Sequence, residues 1–266
     1  MKLKRFMDDA YQGKARTKRL ETRKGDLVFG LEDLADRVGL KPSKAEVEEL
    51  APSDEAILSR LISADPGKKY QLIWGYLTAI VAERISEPLR LPAKAAKDYA
   101  GLELSGGVIL METGGDHVGE RMKGGRIFVR GGAGSHLGQE MAGGGIVAGS
   151  CKDYAFRNMR GGFGVVLGDA GNFTGLGNSG GRIAVRGNSG ERSGWLMHSG
   201  NLRIKGNAGD YLGLLMSGGK ILVKGTAGSR AGWRMKGGSI KAGAFGPEAG
   251  VGNQGGSILG LDQSLG

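Results

Sequence analysis

Apolar residues alternate with polar or small ones in short stretches along the second half of the chain. Ile183 and Val185 are spaced by two, as are Leu202 and Ile204 one repeat later, and mostly polar or basic residues surround them. This period of two is that of a β-strand with one face inward and one outward, not that of a helix. The pattern therefore predicts a series of short, half-buried strands.

Each stretch belongs to a phrase that recurs at a fixed spacing. The phrase reads most clearly from Gly180 as GGRIAVRGNSGERSGWLMH, SGNLRIKGNAGDYLGLLMS and GGKILVKGTAGSRAGWRMK, each of 19 residues. Gly-Gly or Ser-Gly pairs begin at 106, 124, 143, 161, 180, 199, 218, 237 and 255, in steps of 18 or 19 residues. Such self-similarity is typical of a solenoid. We predict a mainly β chain: a single-stranded β-helix of about nine turns over 106–266, preceded by an α-helical region at 1–105.

Glycine and methionine mark further positions in the repeat. The chain has 53 glycines in 266 residues, and the excess lies in the repeats, which indicates sharp turns with positive φ. A methionine also recurs once in most repeats. Because equivalent positions stack in a solenoid, we expect this methionine column to line the interior. Its members are Met122, Met141, Met159, Met197, Met216 and Met235, with Asn178 and Asn253 at two further positions.

The first 105 residues have a different pattern. Residues 1–25 read as a basic arm, and 31–50 as two short helices joined by a turn at Gly39 to Pro42. A third helix is predicted to start near Ser53 and to stop at Pro66, and 94–101 suggest a short one. The apolar run 68–85 predicts a helix buried on most sides. A solenoid needs its first turn covered, so we expect these helices to form a cap.

The charge distribution points to the outward face of the repeats. The chain has a net charge of +10, of which +8 falls in residues 106–266 (18 cations less 10 acids). Arg186, Lys205 and Lys224 recur once per repeat at an outward strand position, so like charges should lie on adjacent turns. A solvated face and a site for an acidic partner or polyanion both fit this pattern. The candidate binding residues are Arg182, Arg186, Lys205, Lys220 and Lys224.

Few residues suggest chemistry. The G-x-G-x-x-G match at Gly175 to Gly180 falls in the repeat's own turns, without the strand-turn-helix unit of a dinucleotide site. The turn acids Asp116, Asp169 and Asp210 are scattered, unlike those of calcium-binding repeats. The histidines His117, His136 and His198 are interpreted as lying in non-equivalent or distant turns. We therefore predict no catalytic residue, metal site or cofactor in this chain.

The composition limits which cellular compartments and which kinds of cross-link are expected for the protein. The single Cys151 excludes an internal disulfide, and no apolar run approaches the roughly 20 residues of a membrane span. The N-terminus has no signal-peptide core, so a soluble, cytoplasmic protein is expected. Residues 31–50 could be taken for a helix-turn-helix, but Glu46, Glu48 and Glu49 would repel phosphates, which disfavours nucleic-acid binding.

The phrases GERMKGGRIFVRGGAGSHLGQEMAGGGI (119–146) and GNAGDYLGLLMSGGKILVKGTAG (206–228) resemble a known repeat. They are similar to the C subunit of formylmethanofuran dehydrogenase and to the C subunit of the formyltransferase/hydrolase complex of methylotrophic bacteria. The same GXGXG repeat resembles the C-terminal domain of the glutamate synthase large subunit and its stand-alone relatives. The resemblance covers about 106–260, and residues 1–105 do not match the N-terminal region expected of either branch.

The resemblance implies a right-handed β-helix that performs no chemistry and joins the catalytic subunits of a hetero-oligomeric complex. In the formyl-transfer complexes the one-carbon carrier can bear a chain of glutamates, which a basic face would suit. One alternative is a separate GXGXG subunit of a glutamate-synthase-like amidotransferase complex. Another is a free-standing basic scaffold that binds nucleic acid or another polyanion.

Overall fold

The computed structural model describes residues 30–92 and 97–261, in which four α-helices precede ten strands. The strands form one parallel sheet in sequence order, as a mainly β solenoid of about nine turns, which confirms the predicted fold class. The helices are α1 (Leu31–Val38), α2 (Lys44–Leu50), α3 (Glu55–Ser63) and α4 (Gln71–Arg84). The strands are β1 (Leu89–Arg90), β2 (Val108–Met111), β3 (Arg126–Ala133), β4 (Gly145–Cys151), β5 (Phe163–Val166), β6 (Ser179–Val185), β7 (Ser199–Ile204), β8 (Lys220–Ala227), β9 (Ser239–Phe245) and β10 (Ser257–Gly260).

The strands stack in register, so the alternating apolar residues form continuous interior columns. Ile183 is paired with Leu202, Leu202 with Ile221, and Ile221 with Ile240, and all four side chains are buried. Along each strand, the residues that alternate with these apolar ones face outward. This arrangement confirms the predicted half-buried strands. The buried apolar side chains of each coil pack against those of the next coil.

The methionine column lies inside the solenoid, as predicted. Its six methionines are fully buried, and Asn178 in the same column is buried as well. The Asn178 side chain satisfies its own polar atoms, because Oδ1 accepts from the Gly181 amide at 2.9 Å and Nδ2 donates to the Gly181 carbonyl at 3.0 Å. Asn253, near the other end, is exposed.

The Gly-Gly pairs serve two different needs, of which the sequence analysis identified only positive φ. At Gly218 a Cβ would lie 2.2 Å from the His198 carbonyl oxygen of the preceding coil, so glycine is needed for space. At Gly219 φ is +88°, a conformation that favours glycine. The methyl group of Met197 lies directly beside Gly219, where a Cβ would be only 2.8 Å from it. The methionine therefore fills the space that the glycine leaves.

Asparagine and aspartate side chains connect successive coils. The Oδ1 atoms of Asp169, Asn188 and Asn207 accept from the backbone amides of Asn188, Asn207 and Thr226, one coil further on, at 2.7–2.8 Å. Asp116, Asp153, Asn172 and Asp210 do the same in a second column. The turn acids that look scattered in the sequence thus belong to two ladders that satisfy turn amides.

The helices pack against the first strands of the solenoid, where α4 contacts β1 and β2. Helix α4 is buried over Ile73 to Ala82, and its Thr78 hydroxyl accepts from the Gly101 amide at 2.9 Å. Lys44 of α2 donates to Glu83 at 2.6 Å and to the Glu103 carbonyl at 3.1 Å. Burial opposes ionisation of Glu83, but the hydrogen bonds from Lys44 and the Ser105 amide lower its pKa overall. The predicted helices of 31–85 are present, with Asp54 rather than Ser53 as the N-cap of α3.

The solenoid begins earlier than the repeat pattern indicates. Strand β1 pairs in parallel with β2, although Leu89 lies within the stretch assigned to the helical region. The short helix predicted at 94–101 is wrong in its described part, because Asp98 to Gly101 form a turn equivalent to those of later coils. Its first residues and the basic arm at 1–25 lie outside the described residues.

None of the four helices that lie within 30–92 is long and apolar enough to cross a membrane.

Replacing Met216 tests the interior column. Met216→Asp puts an unpartnered carboxylate between stacked coils and should cost more than about 4 kcal/mol of unfolding free energy. Met216→Leu keeps the volume and should cost less than about 1.5 kcal/mol. Urea denaturation followed by circular dichroism measures both. A Met216→Asp protein as stable as the Met216→Leu control would mean that the column does not face the interior.

Candidate functional site: the outward face of the sheet

All five candidate binding residues lie on the outward face of the sheet, which we define as the outward side chains of β2 to β10 and of the residue after each strand. Arg182 lies in β6, and Lys220 and Lys224 lie in β8. Arg186 and Lys205 directly follow β6 and β7. All five side chains are exposed.

Three of the five form a continuous column. Val185 is paired with Ile204 and Ile204 with Val223, so the residues that follow them lie on consecutive coils. We call these residues, Arg186, Lys205 and Lys224, the basic column. Neighbouring strands of a sheet are about 4.8 Å apart, so the three cations repel one another at close range.

Arg182 and Lys220 are not adjacent, because Asn201 lies between them in the register. Two further cations that the sequence analysis did not select adjoin the basic column. Arg203 and Lys241 occupy the middle outward position of β7 and β9, where they are separated by Leu222 of β8. Both cations could be predicted from the 18–19 residue period, because the middle outward position of the strand recurs in each repeat.

The cations of this face have little internal compensation. Within residues 30–92 and 97–261, none of the five candidate residues has a carboxylate within 4.0 Å, and neither has Arg203 or Lys241. The one acidic side chain of the outward face in the described strands and the residues after them, Glu112, lies 3.6 Å from Arg130. These seven cations are therefore electrostatically unsatisfied, and anionic groups would lower their energy.

The turns on another side of each coil carry a column of stacked rings. The rings of Tyr99, His117, His136, Tyr154 and Phe173 stack with centroid distances of 4.6–5.0 Å, and their planes are within 7° of parallel. All five residues have a positive φ near 60°. The column continues with the Arg192 guanidinium over the Phe173 and Tyr211 rings. These contacts stabilise coil-on-coil stacking.

This ring column corrects the interpretation of the histidines. His117 and His136 occupy equivalent positions on adjacent coils, 19 residues apart, rather than non-equivalent turns. Their Nδ1 atoms lie 2.5 Å from Glu120 Oε2 and 2.7 Å from Gln139 Oε1. Within the described chain, no three His, Cys, Asp or Glu side chains are grouped so that they could hold a metal ion. The histidines here serve as flat rings in a stack.

The single cysteine is placed for packing. Cys151 lies in an inward column whose equivalents are Ala133, Ala170, Ser189 and Ala208. Burial raises the pKa of its thiol to about 12, which leaves almost no thiolate near neutral pH. Since the thiolate is the reactive form, this cysteine is a poor nucleophile.

Comparisons with known proteins add no family. No protein-family model matches the chain, and no curated protein matches it.

The reactivity of Cys151 can be checked directly. At pH 8 we expect iodoacetamide to label the native protein far more slowly than the protein in urea, as measured by mass spectrometry. The thiol ionises near pH 9.0 when unfolded but near 12 when folded, so unfolding becomes easier as pH rises through this window. Cys151→Ala, the residue found at equivalent positions, should lack this component of the pH dependence. Rapid native labelling would contradict the assignment.

Proposed function

We propose that this chain is a non-catalytic structural subunit of a multi-subunit one-carbon complex, of the formylmethanofuran dehydrogenase or formyltransferase/hydrolase type. It joins catalytic subunits, and its basic face contacts an acidic partner surface or a polyglutamated carrier. The observation that carries the proposal is the basic column, three uncompensated cations on consecutive coils of a rigid sheet. The resemblance of the repeats at 119–146 and 206–228 supports the choice of complex.

The geometry favours association over chemistry in this chain. The described residues offer a flat, periodic surface fixed by backbone pairing, and the buried Cys151 and stacked histidines are used in packing. A surface of this kind binds by complementarity without rearrangement, which keeps the entropic cost of association low. The second candidate, a GXGXG subunit of a glutamate-synthase-like amidotransferase complex, rests on the same repeat and needs the same kind of surface.

The identity of the complex is tested by its other subunits. Purification of the chain from its native host should recover larger catalytic subunits in fixed stoichiometry, which mass spectrometry identifies. Metallohydrolase and formyltransferase subunits are expected. A class II amidotransferase with a flavin-binding synthase would favour the second candidate. Recovery of a lone monomer with turnover of its own would contradict both.

The basic column is tested with poly-L-glutamate as the probe. Replacement of Arg186, Lys205 and Lys224 by Gln keeps the polar side chains and removes three charges, so it should weaken binding measured by calorimetry at low salt. Binding by the wild type should fall as salt rises from about 0.1 M to 1 M, over which the Debye length shrinks from about 10 Å to 3 Å.

A matched control removes the same charge elsewhere. Lys68, Arg160 and Lys236 are exposed cations that lie neither in a strand nor directly after one, and their replacement by Gln should leave poly-L-glutamate binding nearly unchanged. The melting temperatures of both triple variants should stay near that of the wild type, because surface substitutions away from buried features cost little. Equal binding by the wild type and both variants would show that the basic column is only a solvated surface.

A further inference from the structure

The half of the outward face nearer the helical cap has an apolar middle column, beside which lie Arg126 and Arg130 of β3 and Glu112 directly after β2. Its middle column, read across β2 to β6, consists of Leu110, Phe128, Val147, Val165 and Ala184 on consecutive coils. Phe163 and Leu167 flank this column on β5 and directly after it. Phe128 and Phe163 are 38% exposed and Leu167 is 46% exposed. We call these seven residues the apolar half.

The apolar half joins the basic half of the face without a gap. Phe163 is paired with Arg182, and Ala184 with Arg203. Val166 is paired with Val185, and Leu167 and Arg186 are the residues that follow them. Leu167 therefore occupies the position equivalent to Arg186, one coil nearer the cap. The basic half contains Arg182, Arg186, Arg203, Lys205, Lys220, Lys224 and Lys241.

Scattered surface apolar residues are common and need no explanation, but a contiguous patch does. Part of this one has a structural reason, because the Phe163 ring lies over Gly145, where a Cβ would be 2.0 Å from the ring. The exposed rings and leucines would otherwise favour aggregation along the face. A polyanion would occupy the cations and leave the apolar half in water, whereas a protein surface would satisfy both halves.

We propose that the whole outward face, from β2 to β9, is one docking surface for an acidic protein partner. The partner's apolar side chains contact the apolar half, and its carboxylates contact the basic half, so the charge pattern fixes the direction in which the partner lies along the solenoid. This inference rests on the proposed function and deepens it, because it names the partner's chemistry and adds Phe128 and Leu167 as apolar anchors.

The size of the face suits such a partner. Eight strands at about 4.8 Å spacing, with outward side chains across about 14 Å, present roughly 500 Å² before side-chain relief is counted. Specific interfaces bury about 800 Å² on each partner, so side-chain relief and the rim can supply the remainder. Apolar and aromatic anchors next to charged groups are also the usual composition of the centre and rim of an interface.

The test uses two probes, acidic peptides of equal length and charge, one with leucines between its glutamates and the other with serines. The leucine peptide should bind the wild-type protein roughly tenfold more tightly or better, as measured by fluorescence anisotropy, because leucine burial adds to the ionic contacts. Its binding should also retain a component that survives high salt. The variant Phe128→Gln with Leu167→Gln should abolish this preference while leaving serine-peptide binding unchanged.

The control variant is Leu196→Gln with Val251→Gln, whose side chains are 38% and 49% exposed and lie outside the strands. It should keep the wild-type preference for the leucine peptide. Equal affinity for both peptides, or a preference that survives Phe128→Gln with Leu167→Gln, overturns the docking surface even if the basic column still binds poly-L-glutamate. A DNA oligonucleotide of equal charge that binds more tightly than the leucine peptide, in a manner dependent on Phe128, also overturns it in favour of a nucleic acid. If the basic-column variant loses poly-L-glutamate binding in any of these cases, the proposed function still stands. Failure of the docking surface can therefore be distinguished from failure of the proposed function.

Discussion

The close approach of successive coils is the constraint on which the rest of the structure depends. Parallel pairing sets neighbouring backbones about 4.8 Å apart, and each turn must close within 18 or 19 residues to keep that register. At Gly218 no Cβ fits against the coil below, and at Asn207 the side chain reaches across to the next coil's amide. Glycine thus allows the close approach of successive coils, while asparagine, aspartate and methionine side chains bridge or fill the space between them.

The same constraint turns sequence repetition into a patterned surface. Because the interior columns take mostly apolar side chains, with Asn178 and Ser189 as buried polar exceptions, most of the variation between coils falls on outward and turn positions. One of these surfaces carries stacked rings that strengthen the coil contacts, and another carries apolar residues near the cap and cations further on. The stacked coils fix where each of these groups stands relative to the others, as the proposed role in joining subunits would require.

Much of this architecture could be predicted from the sequence. The period of two around Ile183 and the 18–19 residue spacing of the glycine pairs specify stacked strands, and the methionine column specifies the interior. Strand β1 was missed because it has two residues and no glycine pair. The ladder of Asp and Asn residues was missed because its members alternate with Ser, Thr and Glu at equivalent positions. The ring column was missed because Tyr, His, Phe and Arg share flatness rather than a residue type, and only coordinates show that they stack.

The strict sequence order of the sheet makes each coil exchangeable as a unit. Every strand from β2 to β9 pairs only with its predecessor and its successor in the chain, so the backbone pairing of a whole turn involves only its two neighbours. A duplication or deletion of 18 or 19 residues would therefore lengthen or shorten the solenoid by one step of about 4.8 Å and leave the backbone pairing within the other coils intact. The length of the outward face therefore changes only in such steps. The distance between its two ends can change in evolution by small, defined increments while the fold stays the same.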